Sequence, residues 1–239
     1  MEVGNIASPE ILNEGFIIAD TKPCNIRIGF DYQVIEDLGF TFKKDFKNAG
    51  YNSLKIGGRA YFSEIGINIK ERLDIYSKIG TLLIEPRFIF NSQNYSASSN
   101  DGLLLKGGFK LTLISIKDFV FGGDIKYEAA FINNNYLCRD DTPISSENMK
   151  YTLHGWQVAV GGAYQLPFFI PYLGLSYHEK SLTFRKTSFL SKDPIYLDNR
   201  KKLGLFIGTS ITTGSYFLLN IEAKLINEQL ATISGVFRF

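Results

Sequence analysis

The sequence lacks any apolar run of about 18 residues, so no segment is long enough to cross a membrane as a helix. It has only two cysteines, Cys24 and Cys138, which match no metal-ligand spacing. A single disulfide between them is compatible with this count but is not required by it. Its two histidines, His154 and His178, lie inside strand-like patterns without a partner motif. We therefore predict no enzyme activity, no cofactor and no bound metal.

The start of the chain also lacks the basic residues and the apolar core of a secretory signal. We expect a mature exported chain that carries an added Met. Residues 1–23 as a whole are not strand-like. We predict that they form a periplasmic or luminal segment ahead of a barrel formed by residues 24–239.

Aromatic residues and glycine are plentiful, with 20 Phe, 13 Tyr and 22 Gly in 239 residues, and this composition favours strands and turns. Apolar and polar residues alternate from Asn25 to the end, which indicates β-strands with two different faces. Short turns alternate with long polar connections at 37–51, 85–100, 133–149 and 183–200, as in outer-membrane barrels. The predicted strands cover residues 25–36, 52–65, 71–84, 101–114, 118–132, 150–165, 169–182, 201–212, 215–225 and 230–239.

These patterns predict an all-β fold, an antiparallel transmembrane up-and-down β-barrel of about ten strands in a bacterial outer membrane. Twelve strands is the alternative, because residues 39–42 and 87–90 also alternate. A soluble β-sandwich would explain the alternation alone. The predicted strands are nevertheless longer than the five or six residues that are typical, and their apolar faces carry large aromatics near the strand ends.

The last residues alternate up to the final position, with Phe237 and Phe239 on one side and Arg238 on the other. Terminal residues of soluble domains usually bury little. We interpret this stretch as the closing strand of the barrel. Phe237 and Phe239 are predicted to face lipid and to form the C-terminal signal that the barrel assembly machinery recognises.

Charged residues in the predicted strands recur at every second position, which puts them on one face of each strand. We assign this face to the lumen. The basic excess of this set, roughly eleven to five, predicts a narrow pore that passes small solutes and prefers anions. A lumen closed by paired charges is the competing hypothesis, because ten strands leave little room inside. The predicted pore-lining residues are Arg27, Asp31, Lys55, Arg59, Arg72, Asp74, Lys78, Lys106, Lys110, Asp124, Lys126, Glu128, Lys202, Glu222, Lys224 and Arg238.

Two other functions compete with the pore. The polar connections 85–100 and 133–149 suit an adhesin or surface antigen, since loops commonly carry binding residues. Nucleic-acid binding is the weaker fit, because the aromatic residues face away from the basic ones.

A further observation concerns short blocks spread along the whole chain, which are residues 3–5, 8–10, 23–24, 27–30, 66–69, 72–75, 154–157, 171–174, 208–209, 221–222, 225–228 and 237–239. These blocks resemble, in the same order, blocks of the chlamydial major outer membrane protein, a porin family. The resemblance implies an outer-membrane location, porin activity, envelope structure and a trimer, and Cys24 matches a family position. The long insertions and the many cysteines of familiar members are absent from this sequence.

Overall fold

The computed structural model describes residues 4–6, 24–42, 51–70, 72–90, 92–140, 142–145, 150–185, 194–212 and 216–239. Among them no helix has the length and hydropathy to span a bilayer. The strands in chain order are β1 (Cys24–Asp37), β2 (Phe40–Phe42), β3 (Tyr51–Ile69), β4 (Leu73–Phe90), β5 (Gln93–Ser99), β6 (Gly102–Ile116), β7 (Phe119–Arg139), β8 (Thr142–Ser145), β9 (Lys150–Tyr164), β10 (Phe169–Arg185), β11 (Ile195–Asn199), β12 (Leu203–Thr212), β13 (Phe217–Leu225) and β14 (Gln229–Arg238).

Ten long strands form a closed antiparallel barrel, which confirms the predicted fold. The long strands β1, β3, β4, β6, β7, β9, β10, β12, β13 and β14 pair in chain order, and β14 pairs with β1 to close the ring. The twelve-strand alternative is wrong. Residues 40–42 form only the short strand β2, and residues 87–90 are the end of β4.

In the strand pair that closes the barrel, β1 and β14, outer-face residues of one strand lie opposite outer-face residues of the other. Phe30 lies opposite Gly235, and Ile28 lies opposite Phe237. A Cβ added to Gly235 would come within 2.5 Å of the Phe30 ring, so the glycine leaves room for that ring on the outer face. Phe237 is exposed there, whereas Arg238 points into the lumen and is buried.

The two ends of the barrel differ. At one end, called here the short-turn end, brief connections join β3 to β4, β6 to β7, β9 to β10 and β12 to β13. The first residue of β1 and the last residue of β14 also lie at this end. At the other end, called the loop end, the four long connections contain β2, β5, β8 and β11.

The outer face near the short-turn end is that of a membrane-spanning barrel. Large apolar side chains are exposed on every long strand, for example Ile65 at 59% and Leu173 at 61%. Among the described strand residues, no charged side chain lies on the outer face between the short turns and the level of Tyr61 and Tyr177. An exposed apolar belt of this extent fits lipid rather than water.

Beyond the level of Tyr61 and Tyr177, toward the loop end, the outer face changes from apolar to polar and the inner face changes from charged to apolar. On the outer face of β3, Tyr61 is followed toward the loop end by Arg59, and on β10 Tyr177 is followed by Glu179. Trp156 and Tyr177 pack together at the boundary with ring centroids 5.4 Å apart, as in an interfacial aromatic girdle. We call the part beyond this boundary the loop-side extension. Its outer face is polar and its interior is apolar.

The short hairpin β13–β14 does not reach into the loop-side extension, and β2 with β11 fill the wall above it. β11 pairs with β10 on one side and with β2 on the other. The Arg200 guanidinium donates to the carbonyl oxygens of Leu54 at 3.3 Å and Phe40 at 3.5 Å. Arg200 therefore links β2 to β3, two described strands that are not joined by a ladder of backbone hydrogen bonds.

Replacing Arg200 with alanine should loosen this junction and reduce the free energy of unfolding by about 1 kcal/mol, because its hydrogen bonds are only partly buried. The rate of limited proteolysis of the folded protein measures the effect. Lys201→Ala is the matched control, since Lys201 is the neighbouring basic residue and is exposed. Equal cleavage of the two variants would contradict this role for Arg200.

Candidate functional site in the lumen

The structure places most of the predicted pore-lining residues inside the barrel. Of the predicted residues that face inward, all except Lys110 are buried. Lys110 is half-buried and lies beside Gly4. The inward-facing members are Arg27, Asp31, Asp74, Lys78, Lys106, Lys110, Asp124, Lys126, Glu128, Glu222, Lys224 and Arg238.

Four predicted pore-lining residues do not reach the lumen. Lys55 and Arg59 are exposed on the outer face of the loop-side extension, and Arg72 lies at a short turn. Lys202 pairs with Glu179 outside the barrel, where the Lys202 ammonium and the Tyr177 hydroxyl lower the pKa of the Glu179 carboxyl. These assignments were wrong because they equated charge with the inner face, a rule that holds only within the membrane-spanning part.

Three inward charged residues were not predicted from the sequence, namely Glu64, Lys180 and Glu228. With them the charges of the described inward residues nearly balance, so the predicted basic excess is absent among these residues. The inward basic residues are Arg27, Lys78, Lys106, Lys110, Lys126, Lys180, Lys224 and Arg238, and the inward acidic residues are Asp31, Glu64, Asp74, Asp124, Glu128, Glu222 and Glu228.

The most extensive ion-pair network surrounds Glu228 in the connection between β13 and β14. Lys180 pairs with Glu228 and lies 3.0 Å from Glu128, and the Lys224 ammonium lies 3.2 Å from Glu228. Lys224 also donates to the side-chain oxygen of Gln157 at 2.7 Å. The two ammonium groups therefore offset the cost of burying the Glu228 carboxylate.

Further pairs line the wall closer to the short-turn end. Arg27 pairs with Asp74, whose second oxygen accepts a 2.7 Å hydrogen bond from Asn68. Lys78 pairs with Asp31 and lies 2.8 Å from Glu64. Buried charges are costly unless they are paired, so this pattern stabilises a closed lumen better than it serves ion passage.

A small polar cavity lies between these pairs and the first described residues of the chain. Its volume of about 20 Å³ is enough for roughly one water molecule. Arg27, Glu64, Lys110 and Ser234 are among the residues that line it. The described residues therefore leave space for hydration here, but not for a solute.

The loop-side extension is filled by an apolar cluster that we call the loop-side core. Ile56 and Leu197 are fully buried in it, and Ile84 and Leu182 are 1% exposed. Tyr151 packs edge-on against Phe184, with ring centroids 4.8 Å apart. The loop-side core contains Ile35, Leu38, Phe40, Phe42, Leu54, Ile56, Ala60, Phe62, Leu82, Ile84, Phe88, Tyr95, Ala97, Leu104, Ala130, Ile132, Leu137, Tyr151, Leu153, Leu182, Phe184, Ile195 and Leu197.

The two cysteines lie at opposite ends of the barrel, and the two histidines lie on opposite faces of its wall. Cys24 begins β1 at the short-turn end and Cys138 lies near the loop end of β7, and both are free thiols. The disulfide considered from the sequence is therefore excluded within one chain, since its Cα atoms must lie within about 7 Å. His178 is fully buried in the lumen, while His154 contacts the Tyr127 hydroxyl at 3.0 Å on the outer face. Among the described residues no group of His, Cys, Asp and Glu could hold a metal ion.

No family model and no characterised protein sequence matches this chain. Among solved structures, it is similar to the outer membrane protease OmpT from Escherichia coli, with 8% identity, a TM-score of 0.47 and coverage of 90% of this chain and 93% of that one. The translocator domain of the autotransporter NalP from Neisseria meningitidis has 13% identity and a TM-score of 0.43, with coverage of 92% and 90%. The attachment invasion locus protein Ail of Yersinia pestis has 11% identity and a TM-score of 0.37, with coverage of 90% and 97%. Values this low transfer no function to this chain, and the resemblance to the chlamydial porin family stays a prediction.

Proposed function

We propose that the protein is a non-conducting outer-membrane barrel that anchors its loop-side extension at the cell surface. The observation that carries this proposal is the loop-side core, which fills the barrel interior beyond the charged residues. The apolar outer belt, which ends at an aromatic girdle, supports the membrane location.

The charged part of the lumen supports the same proposal. A water-filled pore with a basic excess would favour anions, but eight inward basic residues stand against seven acidic ones in the described structure. Many of them are engaged with each other, as in the network of Lys180, Lys224 and Glu228. Interior side chains of barrels with about eight strands commonly fill the lumen, and ten strands lie near that limit.

Planar-bilayer recording tests the proposal. We expect no conductance steps from protein whose folding has been checked by heat-modifiable migration on a gel. Reproducible steps would contradict the closed lumen and would favour the narrow diffusion pore predicted from the sequence. In that event reversal potentials would measure the predicted preference for anions.

Binding to a host or neighbouring cell is the second candidate, and the position of the loop-side extension beyond the aromatic girdle favours it. The predicted loop 85–100 is largely the paired strands β4 and β5, whose tip carries the exposed residues Gln93 and Asn94. Because this hairpin belongs to the wall, cell-attachment assays should use substitutions at the tip rather than deletions. We also propose contacts with the barrel assembly machinery through Phe237 and Phe239, which the C-terminal pattern predicts, and a trimeric assembly, which the resemblance to the chlamydial porin family implies.

A further inference from the structure

The chain places one of its own segments inside the barrel. Gly4, Asn5 and Ile6 are all buried in the lumen, although they pair with no strand. Residues 1–3 and 7–23, which complete the predicted N-terminal segment, lie outside the described residues. The three buried residues make specific contacts with the barrel wall.

The polar contacts of this segment reach two strands of the wall. The Gly4 amide donates to a carboxylate oxygen of Glu222 on β13 at 2.7 Å. The Asn5 side-chain amide donates to the Ser210 hydroxyl on β12 at 2.8 Å. The Tyr172 hydroxyl also donates to Glu222, at 3.4 Å. A buried carboxylate needs such donors, so the segment supplies part of the hydrogen bonding that Glu222 requires.

The apolar contact is made by Ile6, which is fully buried. It belongs to an apolar cluster near the short-turn end that we call the short-turn cluster. The cluster contains Ile6, Val120, Ala159, Ala163, Ile170, Tyr172, Phe206, Leu218 and Val236. The wall makes room for the segment at Gly122, where an added Cβ would lie 2.7 Å from the Ile6 carbonyl oxygen.

Each position of the segment suits a different requirement. Gly4 has a φ of +66°, and a Cβ there would lie 2.7 Å from the Lys110 ammonium, so only glycine fits without strain. Position 5 needs a carboxamide that reaches Ser210, which Asn5 supplies. Position 6 needs an aliphatic side chain, which Ile6 supplies. Such agreement at three successive residues is expected of a binding site rather than of incidental contact.

We propose that the lumen near the short-turn end is a peptide-docking site whose ligand is the chain's own segment Gly4–Ile6. The site recognises a backbone N–H donor through Glu222, a carboxamide through Ser210 and a branched aliphatic side chain through the short-turn cluster. The docked segment covers the polar cavity on the side of Gly4. This inference rests on the closed barrel proposed above, in which the loop-side core closes the opposite end.

A buried reporter cysteine tests the docking site. In a background with Cys24→Ser and Cys138→Ser, Ser234→Cys places a thiol on the cavity wall. Ile6→Asp should release the segment, while Ile6→Val is the matched control that keeps an aliphatic side chain. A charged, membrane-impermeant thiol reagent should label the Ile6→Asp protein about tenfold faster or more, since losing a buried isoleucine shifts the docking equilibrium by at least that factor.

Equal labelling of the two folded variants would overturn the docking site, and heat-modifiable migration verifies that both are folded. Bilayer recording on the same samples separates this result from the proposed function. Faster labelling of Ile6→Asp without conductance supports both proposals. Faster labelling with conductance supports the docking site but contradicts closure by the loop-side core.

Discussion

Replacing Glu228 with alanine is expected to lower the free energy of unfolding by about 3–5 kcal/mol, the usual loss when one partner of a buried ion pair is removed. Glu228 is 1% exposed and is shared by the ammonium groups of Lys180 and Lys224. Alanine would take one carboxylate away from each of these buried ammonium groups, although Lys180 would keep Glu128 at 3.0 Å. Urea unfolding, followed by the fluorescence of the single Trp156, measures the loss.

The matched control is Glu36→Ala, which removes a carboxylate from an exposed ion pair. Glu36 lies 3.6 Å from Lys55, and both side chains are more than half exposed. Exposed pairs contribute about 0–1 kcal/mol, so this variant should unfold nearly as the parent does. A similar loss in both variants would show that the lumen around Glu228 is hydrated like the surface.

The central place of Glu228 was not predictable from the strand pattern, because it lies in the connection between β13 and β14 rather than in a strand. Lys180 was within reach of the sequence analysis. It lies in the predicted strand 169–182 on the parity opposite to Leu173 and Leu175, so continuing the alternation would have placed it in the lumen. Glu64 was missed because charge, at Lys55 and Arg59, was used to set the inner parity of β3.

The ten long strands were predictable because the alternation and the short turns are local properties of the sequence. The short strands of the loop-side extension were not. β2 pairs with β11, whose residues lie far away in the sequence, and Arg200 completes the junction from outside both strands. Residues 39–42 do alternate, but only the folded chain brings β2 beside β11, so no local pattern marks this pairing.

The inversion of polarity along each strand also limited the prediction of the site. In β3 the outward positions change from Ile65 and Ile67 in the belt to Arg59 and Lys55 beyond it, without a break in the alternation. A strand that leaves the membrane exchanges lipid for water on one face, while its other face changes from the charged lumen to the loop-side core. Alternation therefore predicts which residues share a face of the strand. Whether that face is apolar or polar depends on whether it meets lipid, water, the charged lumen or the loop-side core.

Placing an arginine on the apolar belt should separate a membrane barrel from a soluble one. Leu173 is 61% exposed on the outer face of β10 and lies midway between Phe169 and Tyr177. If lipid surrounds this position, Leu173→Arg should cost about 2–4 kcal/mol of unfolding free energy in a bilayer, as for basic residues at the midplane of other barrels. In water the same change at an exposed site would stay within about 0.5 kcal/mol.

Ser181→Arg provides the comparison on the same strand and the same face, beyond the girdle at Tyr177. Ser181 is exposed and lies opposite Asp198 of β11, so an arginine there meets water and an acidic neighbour. We expect no measurable loss from this variant when unfolding is measured in the same lipid vesicles. Since both variants add the same side chain to the outer face of β10, their difference reports the surroundings alone. Equal stabilities would mean that Leu173 faces water, and the membrane assignment would then be wrong, whereas the predicted gap would place the bilayer boundary between these two positions.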